Sequence, residues 1–291
     1  MSLSSKLGEQ KSIRLPQGTI RYRERGRGRP IVFVHGVLVN GDLWRDVVPH
    51  LADTHRCIAP DWPLGSHEVP LEPTAELSTP GVAALVAELL ATLDLHDVTL
   101  VGNDTGGAVC QLVVTQHPER IGRLVLTSCD AFERYPPPPF DSLLYWLPRI
   151  PGAVFLTSQL MRFAIMRRQP TGYGLVVRGE LDDELARSFT APAAASAGVR
   201  ADLSRLLRGI SNQHTLEAAE RLPGFDRPVL LAWGGDDRLF PLELAKRLAA
   251  RLPNARLEVV PHARTFVPLD EPAALAALIR DFLGEQAVRS A

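Results

Sequence analysis

Apolar and polar positions follow two rhythms along the first half of the chain. Four short, continuous apolar runs are typical of strands that are buried on both faces. They lie at residues 31–35, 57–60, 98–102 and 124–127. Longer stretches between them carry apolar residues at helical spacing. These stretches lie at residues 42–52, 79–93 and 106–116. The alternation predicts a mostly parallel sheet flanked by helices, so the fold class is α/β.

The same pattern divides the chain into a core and an insertion. Residues 12–15 and 19–23 predict a hairpin ahead of the first buried strand. From residue 131 the strands stop, and helical segments predominate. We expect those segments near residues 143–144, 160–166, 183–188 and 202–207. The alternation then resumes with strands at 229–232 and 256–260 and helices at 242–252 and 272–283. We therefore predict a core of residues 1–130 and 215–291 and a helical cap of residues 131–214.

One short segment indicates chemistry. Residues 102–106 follow an apolar strand, precede a helix and match the pattern Gly-x-nucleophile-x-Gly. The glycines leave room for a turn that is too tight for side chains. The residue at the tip is Asp104 rather than Ser or Cys. A carboxylate nucleophile attacks saturated carbon or an epoxide and forms an ester, which narrows the chemistry.

With this nucleophile elbow, the sequence resembles the α/β-hydrolase superfamily over nearly its whole length. The strand that ends in His35-Gly36, the loop at residues 60–65, the strand ending at residues 233–237 and the loop at residues 259–268 stand in the family's order. Asp at the elbow makes haloalkane dehalogenases and epoxide hydrolases the nearest functional relatives. The resemblance implies an α/β-hydrolase fold with an inserted helical cap.

The resemblance also implies roles for individual residues. Asp104 is the expected nucleophile, and the backbone N–H groups of Val37 and Thr105 are the expected oxyanion hole. Asp237 occupies the position of the acid that orients a histidine, and Asp130 is a second candidate for that acid. Dehalogenases hold halide with Asn or Trp side chains where this chain has Val37 and Thr105. Three other side chains could supply such an N–H group: Asn40, Trp44 and Trp62.

The position of the catalytic histidine departs from the family pattern, because Thr265 stands there. A hydroxyl has no accessible basic pKa and cannot activate water as an imidazole does. His262, earlier on the same loop, is the expected replacement, with His35 and His67 as further candidates. Arg264 could turn inward and pair with a carboxylate of the site.

We expect further contacts with substrate from five residues, of which Tyr145 and Trp146 lie in the cap. The complete set is His35, Trp62, Tyr145, Trp146 and Thr265. Tyrosines of the cap protonate the opening ring in epoxide hydrolases, so Tyr135 and Tyr173, which also lie in the cap, are further candidates for that role. The aromatic residues of the cap suggest an apolar substrate.

Three functional hypotheses follow. The first is a cofactor-independent hydrolase that acts on a small apolar substrate through Asp104, as dehalogenases and epoxide hydrolases do. The second is a lyase, isomerase or cyclase in which Asp104 is a general base, because an ester could not be hydrolysed without the missing histidine. The third is a ligand-binding protein without activity, although a binding pocket does not need a strained elbow.

Composition narrows the expected partners. The formal net charge is −1 and no basic stripe is present, so we expect a small-molecule substrate and neither nucleic acid nor a membrane as partner. The three cysteines, Cys57, Cys110 and Cys129, lie in or beside apolar runs and are expected to be buried thiols. Neither a metal-binding pattern nor a secretory signal is visible, and we expect a cytoplasmic protein without cofactors. The pattern leaves the oligomeric state open.

Overall fold

A computed structural model describes residues 5–289 of the chain, with side chains described for residues 5–284. Eight strands form one mixed sheet with the order β1-β2-β4-β3-β5-β6-β7-β8. The strands are β1 (Glu9–Leu15), β2 (Gly18–Arg25), β3 (Arg29–Val34), β4 (His55–Pro60), β5 (Val98–Asp104), β6 (Ile121–Cys129), β7 (Val229–Gly234) and β8 (Ala255–Val260). The pairs β1–β2 and β2–β4 are antiparallel, and the other five neighbouring pairs are parallel.

Helices cover the sheet and fill the stretch between β6 and β7. Those described are α1 (Thr79–Thr92), α2 (Thr105–Gln116), α3 (Phe140–Trp146), α4 (Ala153–Leu160), α5 (Ala164–Arg167), α6 (Asp183–Ala195), α7 (Ala197–Gly209), α8 (Asn212–Arg221), α9 (Leu242–Ala249), α10 (Val267–Asp270) and α11 (Pro272–Arg289). The predicted α/β class is confirmed, since central strands that are buried on both faces need helices on either side. Within the described range, no helix is both long and apolar enough to cross a membrane.

The helical insertion, which we define as α3–α7, interrupts the core between β6 and α8. Helix α8 packs against α2, and the Thr215 hydroxyl donates to the Phe132 carbonyl at 2.6 Å, so the chain rejoins the core at α8. The boundaries of the predicted cap at residues 131 and 214 stay a prediction. Residues 1–4 and 290–291 of the predicted core lie outside the described part.

Two predicted helices take a different form. The segment at residues 42–52 forms two short 3₁₀ turns, Gly41–Trp44 and Val48–His50, instead of one helix. Pro49 lacks the N–H group that an α-helix would use there. The predicted segment at residues 160–166 is broken at Phe163, whose extended backbone (φ −90°, ψ 131°) separates α4 from α5.

The core is apolar and closely packed. Trp44, Trp62 and Trp233 are among its largest fully buried side chains. The three cysteines are free and buried, as predicted, and burial raises the pKa of each thiol above its ordinary value.

A buried ionic cluster joins the loop after β4 to the helical insertion. Asp202 of α7 is 2% exposed and accepts hydrogen bonds from the Leu71 amide at 2.8 Å and from Arg205 at 2.5 Å. His67 Nε2 lies 3.0 Å from the same carboxylate. These bonds hold the pKa of Asp202 below its ordinary value although burial opposes them. The carboxylate therefore satisfies three donors that would otherwise lose their partner.

We predict that Asp202→Ala lowers the free energy of unfolding by about 3 kcal/mol, because the Leu71 amide, His67 and Arg205 all lose their buried hydrogen-bond acceptor. Chemical denaturation at neutral pH measures the change. Asp226→Ala, which removes an exposed carboxylate, is the matched control and should have little effect. An equally small effect of Asp202→Ala would show that the cluster does not hold the insertion to the core.

Candidate active site

The site is built around a strained turn between β5 and α2. Asp104 has a positive φ of 53° with ψ of −131°, a conformation that non-glycine residues rarely adopt. A Cβ atom at Gly36 would collide with the Asp104 carboxylate, and one at Gly106 would collide with the Val34 carbonyl. The absence of side chains at these two glycines therefore lets the carboxylate approach the end of β3.

The backbone N–H groups of Val37 and Thr105 lie close enough to the Asp104 carboxylate to lower its pKa. These are the groups that the sequence predicts as an oxyanion hole. Burial nevertheless raises the pKa of Asp104 to about 7, and the nearby charge of Asp237 also raises it. The two N–H groups act in the opposite direction and favour the ionised form. Near neutral pH, Asp104 can therefore exist both as carboxylate and as acid.

Asp130 brings a second carboxyl group to the same place. Asp104 is the register partner of Cys129, so Asp130 follows directly beside it at the end of β6. The Thr105 hydroxyl donates to Asp130 Oδ2 at 3.2 Å, while Oδ1 has no hydrogen-bond partner among the described residues. Burial and the charge of Asp104 raise the pKa of Asp130 well above its ordinary value. Asp130 is thus the group that keeps its proton when Asp104 is ionised.

Asp237 is held by Thr265, the residue at the position where the resemblance implies a histidine. Its Oδ1 accepts from the Thr265 hydroxyl at 2.9 Å and from the amides of Leu239 and Phe240 at 2.8 and 3.0 Å. Asn103, next to Asp104, fixes the backbone of this loop by donating to the Thr265 carbonyl at 2.7 Å. The acid and the position of the missing base therefore meet, but their bond joins a hydroxyl to a carboxylate. Burial raises the pKa of Asp237.

None of the three candidate histidines lines the cavity described below. His35 is buried between the Trp62 amide and the Gly36 carbonyl, each at 2.9 Å, and burial lowers its pKa to about 3. His67 is occupied by Asp202. The side chain of His262 is exposed. His35 and His67 therefore have structural hydrogen-bond partners, and His262 lies on the surface.

Arg264 does not pair with the carboxylates of the site. Its guanidinium donates to the carbonyls of Gly174 and Val177, at 2.9 and 2.8 Å. It therefore ties the loop that carries Thr265 to the helical insertion.

An apolar cavity opens beside the two carboxyl groups and holds about 790 Å³ of empty space, its mouth included. Most of its wall is aliphatic or aromatic and comes from the helical insertion. It is lined by Val37, Leu38, Asp104, Thr105, Asp130, Tyr135, Pro136, Pro137, Phe140, Leu143, Leu144, Leu147, Thr157, Met161, Thr171, Gly172, Tyr173, Val176, Ile210, Leu239 and Phe266. A wall of this kind suits a small apolar molecule that meets polar groups only at the carboxyl end of the sheet.

The aromatic residues that line the cavity differ from those that the sequence predicts as substrate contacts. Tyr145 and Trp146 are 51% and 56% exposed and are not part of the cavity wall. Tyr135 and Tyr173 line it instead. The Tyr173 phenol donates to the Leu38 carbonyl at 2.7 Å, and the Tyr135 phenol bonds Thr79 at 2.7 Å. The seven residues of α3 are too few to show from spacing which face turns inward.

The alternative halide donors are directed elsewhere. The indole of Trp62 donates to the Phe33 carbonyl at 3.0 Å, and the amide of Asn40 donates to Ser188 Oγ at 2.9 Å. Trp44 is fully buried, and neither it nor the other two belong to the cavity wall. Among the residues that line the cavity, no side chain carries an N–H group. Only hydroxyl and carboxyl groups can donate a proton there.

Comparison with known proteins places the chain in a family. A family model described as the alpha/beta hydrolase fold matches residues 29–272, and the chain belongs to that family. The chain is 30% identical over 264 residues to a poly(3-hydroxyalkanoate) depolymerase of Ectopseudomonas oleovorans, covering 90% of this chain and 86% of that protein. It is 27% identical over 277 residues to haloalkane dehalogenase 2 of Mycobacterium tuberculosis, covering 92% of each.

A solved structure agrees with this assignment. An α/β-hydrolase-fold protein from Burkholderia ambifaria superposes with a TM-score of 0.78 at 25% identity, covering 97% of this chain and 98% of that one. The predicted membership of the α/β-hydrolase superfamily is thereby confirmed.

The buried carboxyl groups around the site predict how stability depends on pH. Asp61, on the loop after β4, accepts from the Gly41 amide at 3.0 Å, and burial raises its pKa to about 7. Because the pKa of Asp61 is higher in the folded chain than in the unfolded chain, its contribution to stability is complete at about pH 4. That contribution is lost as the pH rises through about 7. Asp61→Asn cannot ionise, so the melting temperature of this variant should fall less than that of the wild type between pH 5 and pH 8.

Thermal unfolding followed by circular dichroism at the two pH values checks this expectation. Asp226→Asn, at an exposed site, should leave the wild-type difference unchanged. If the melting temperatures of Asp61→Asn and the wild type changed equally between pH 5 and pH 8, the expectation would be wrong, and Asp61 would be ionised in the folded protein at low free-energy cost.

Proposed function

We propose that this protein is an enzyme of the α/β-hydrolase family that opens a strained cyclic ether, such as an epoxide, on an apolar substrate through Asp104. One observation carries the proposal: Asp104 and Asp130 face the same apolar cavity and differ in their tendency to hold a proton. A carboxylate beside a carboxylic acid supplies a nucleophile and a proton donor together.

In the first step, the Asp104 carboxylate attacks a ring carbon. The Val37 and Thr105 amides hold the carboxylate in place, and the start of α2 favours its negative charge. The carbon–oxygen bond of the ring breaks as the new ester bond forms. The oxygen that leaves stays on the substrate and takes the proton of Asp130, a residue that lines the same cavity.

In the second step, Asp130 has become a carboxylate and takes the place of the missing histidine. It removes a proton from water, and the resulting hydroxide attacks the ester carbonyl of Asp104. The Val37 and Thr105 amides stabilise the oxyanion that forms. Collapse of the intermediate releases a diol, restores the Asp104 carboxylate and leaves Asp130 protonated, so that protons and oxygen balance over the cycle. A carboxylate with a raised pKa is a stronger base than an ordinary one.

The same cavity supports ring opening better than dehalogenation. Halide must be held by donors as it leaves, and the cavity wall offers no N–H side chain for this purpose. An epoxide oxygen needs one proton instead, which a carboxylic acid can give. The aspartate at the tip of the elbow supports an aspartate nucleophile in this chain, and the similarity to haloalkane dehalogenase 2 does not assign its substrate.

A second function is supported by a separate observation. Thr265 occupies the position of the histidine, and Asp104 has a pKa of about 7, which is suitable for a general base near neutral pH. Asp104 could then remove a proton from substrate and promote elimination, isomerisation or cyclisation. The two functions differ in whether an ester forms on Asp104.

Isotopic labelling of Asp104 separates the two mechanisms. During turnover of an apolar epoxide in H₂¹⁸O, water attacks the ester carbonyl, so the Asp104 carboxylate gains ¹⁸O. Mass spectrometry of the peptide that contains Asp104 should show this label, and Asp104→Asn should neither turn over nor gain label at residue 104. Turnover of substrate without label on Asp104 would overturn the nucleophilic mechanism and favour the general base. Retained ligand binding with no turnover of any substrate would favour a binding protein.

The role of Asp130 predicts the effect of Asp130→Asn. The variant loses both the proton donor and the base, so turnover of the epoxide should fall by about 10²- to 10⁴-fold. Intact-mass spectrometry should detect the epoxide-derived ester on Asp130→Asn and not on an Asp104→Asn/Asp130→Asn double variant. Asp141→Asn, at an exposed carboxylate in the first turn of α3, is the control and should keep the wild-type rate. Wild-type turnover by Asp130→Asn would assign its role to another group.

A further inference from the structure

The helical insertion has an unusual outer surface. Ten large apolar side chains are exposed among the described residues, and eight of them lie on α3–α5 and the turns between these helices. They are Tyr145, Trp146, Ile150, Phe155, Leu156, Leu160, Phe163 and Ile165. Isolated exposed apolar residues are normal on a protein surface, whereas this concentration within one short stretch marks an interaction surface. We call these eight residues and their helices the outer insertion face.

The charge of the segment that follows Asp141 is equally one-sided. Residues 142–179 contain five arginines and no aspartate, glutamate or lysine. Arg167 and Arg168 form ion pairs with Asp183 and Glu180 from outside the stretch. The overall charge of −1 conceals this local excess of positive charge.

Two exposed arginines on this face pair with no carboxylate among the described residues. Arg149 donates to the Tyr145 carbonyl and stacks over the Tyr145 ring at 3.7 Å. Arg162 donates to Gln159 Oε1 at 3.2 Å. Both cations therefore stay beside the aromatic and aliphatic side chains of the outer insertion face and remain free to meet an external anion.

This composition matches the boundary between lipid headgroups and acyl chains. Tryptophan and tyrosine favour that boundary because one end of each ring is apolar and the other polar. Aliphatic side chains can enter the acyl region while arginines meet lipid phosphates. A second copy of the chain fits less well, because a two-fold contact would bring together two faces that each carry the unpaired Arg149 and Arg162 and, within α3–α5, one acid, Asp141.

The position of the face adds a functional reason. Leu147 of the α3–α4 turn and Thr157 of α4 line the cavity from the other side of the same helices. The outer insertion face therefore covers the wall of the compartment that contains Asp104 and Asp130. An apolar molecule dissolved in a bilayer would lie close to this wall if the face rested on the membrane.

We propose that the outer insertion face docks on the surface of a bilayer that contains anionic lipids, without crossing it. The docking step is independent of the reaction at Asp104. The further step, entry of an apolar substrate from the lipid into the cavity, rests on the proposed function. For this one face, the proposal differs from the expectation, drawn from overall charge, that a membrane is not a partner.

Co-sedimentation with vesicles tests the docking step directly. The full chain is mixed with vesicles of phosphatidylcholine alone or of equal parts phosphatidylcholine and phosphatidylglycerol. We expect binding to the anionic vesicles to exceed binding to the neutral ones by at least about tenfold, and to weaken as salt is added. Equal binding to both, or none to either, would overturn the proposal.

Paired variants locate the contact. Trp146→Ser/Phe163→Ser and Arg149→Gln/Arg162→Gln should each lower binding to the anionic vesicles about tenfold or more. Matched exposed changes elsewhere, Leu216→Ser/Val259→Ser and Arg221→Gln/Arg251→Gln, should leave it unchanged. All four should melt as the wild type does, because these side chains are exposed. Equal losses in both sets would mean that binding is not made by this face.

Light scattering of the vesicle-free protein tests the competing occupant. A wild-type dimer that Trp146→Ser/Phe163→Ser converts to a monomer would assign the face to a second copy and overturn the proposal. A mass that is the same for wild type and variant supports the lipid surface. Activity is measured separately: vesicle binding with no turnover of an epoxide would refute the proposed function and leave docking intact.

Discussion

The close approach of the Asp104 carboxylate to the backbone at the end of β3 is the constraint on which the site depends. It requires a positive φ at Asp104 and the absence of a side chain at Gly36. The parallel pairing of β5 with β3 and β6 places three strand ends side by side, so the amide of Val37 and the carboxyl of Asp130 reach the same carboxylate. The strained turn persists because the buried sheet on either side of it leaves no alternative path for the chain.

The resemblance assigns Asp237 to the family's acid position and Thr265 to the position of the histidine that this acid orients. Asp237 retains its place after β7, with Thr265 filling the histidine position and giving the acid a hydroxyl partner. A buried carboxylate without that partner would be costly, so the Thr265 hydroxyl stabilises what remains of the pair. The replacement explains why the loop keeps its shape while its chemistry changes. In the proposed mechanism, Asp130, which lines the cavity, carries out the proton transfer instead.

The helical insertion has two apolar faces with different surroundings. Its inner face, which includes Leu147, closes the cavity over the carboxyl groups, and its outer face exposes aromatic and aliphatic residues beside unpaired arginines. Short helices such as α3 and α5 cannot bury both faces within one layer. We infer that the lipid surface supplies the second set of contacts. The cavity and the membrane would then lie on opposite sides of one helical layer.

The sequence by itself determined the parallel sheet, the elbow and Asp104 as its tip, because each depends on local pattern and spacing. The assignment of Thr265 to the position of the catalytic histidine came from the resemblance and stays a prediction. Tertiary structure alone decided which side chains meet in the cavity. Asp130 enters it because β6 lies beside β5, whereas Tyr145 and Trp146 turn to solvent. A helix of seven residues carries too little periodicity to fix its inward face, and the protonation of a carboxyl group depends on burial and neighbours that only the folded chain brings together.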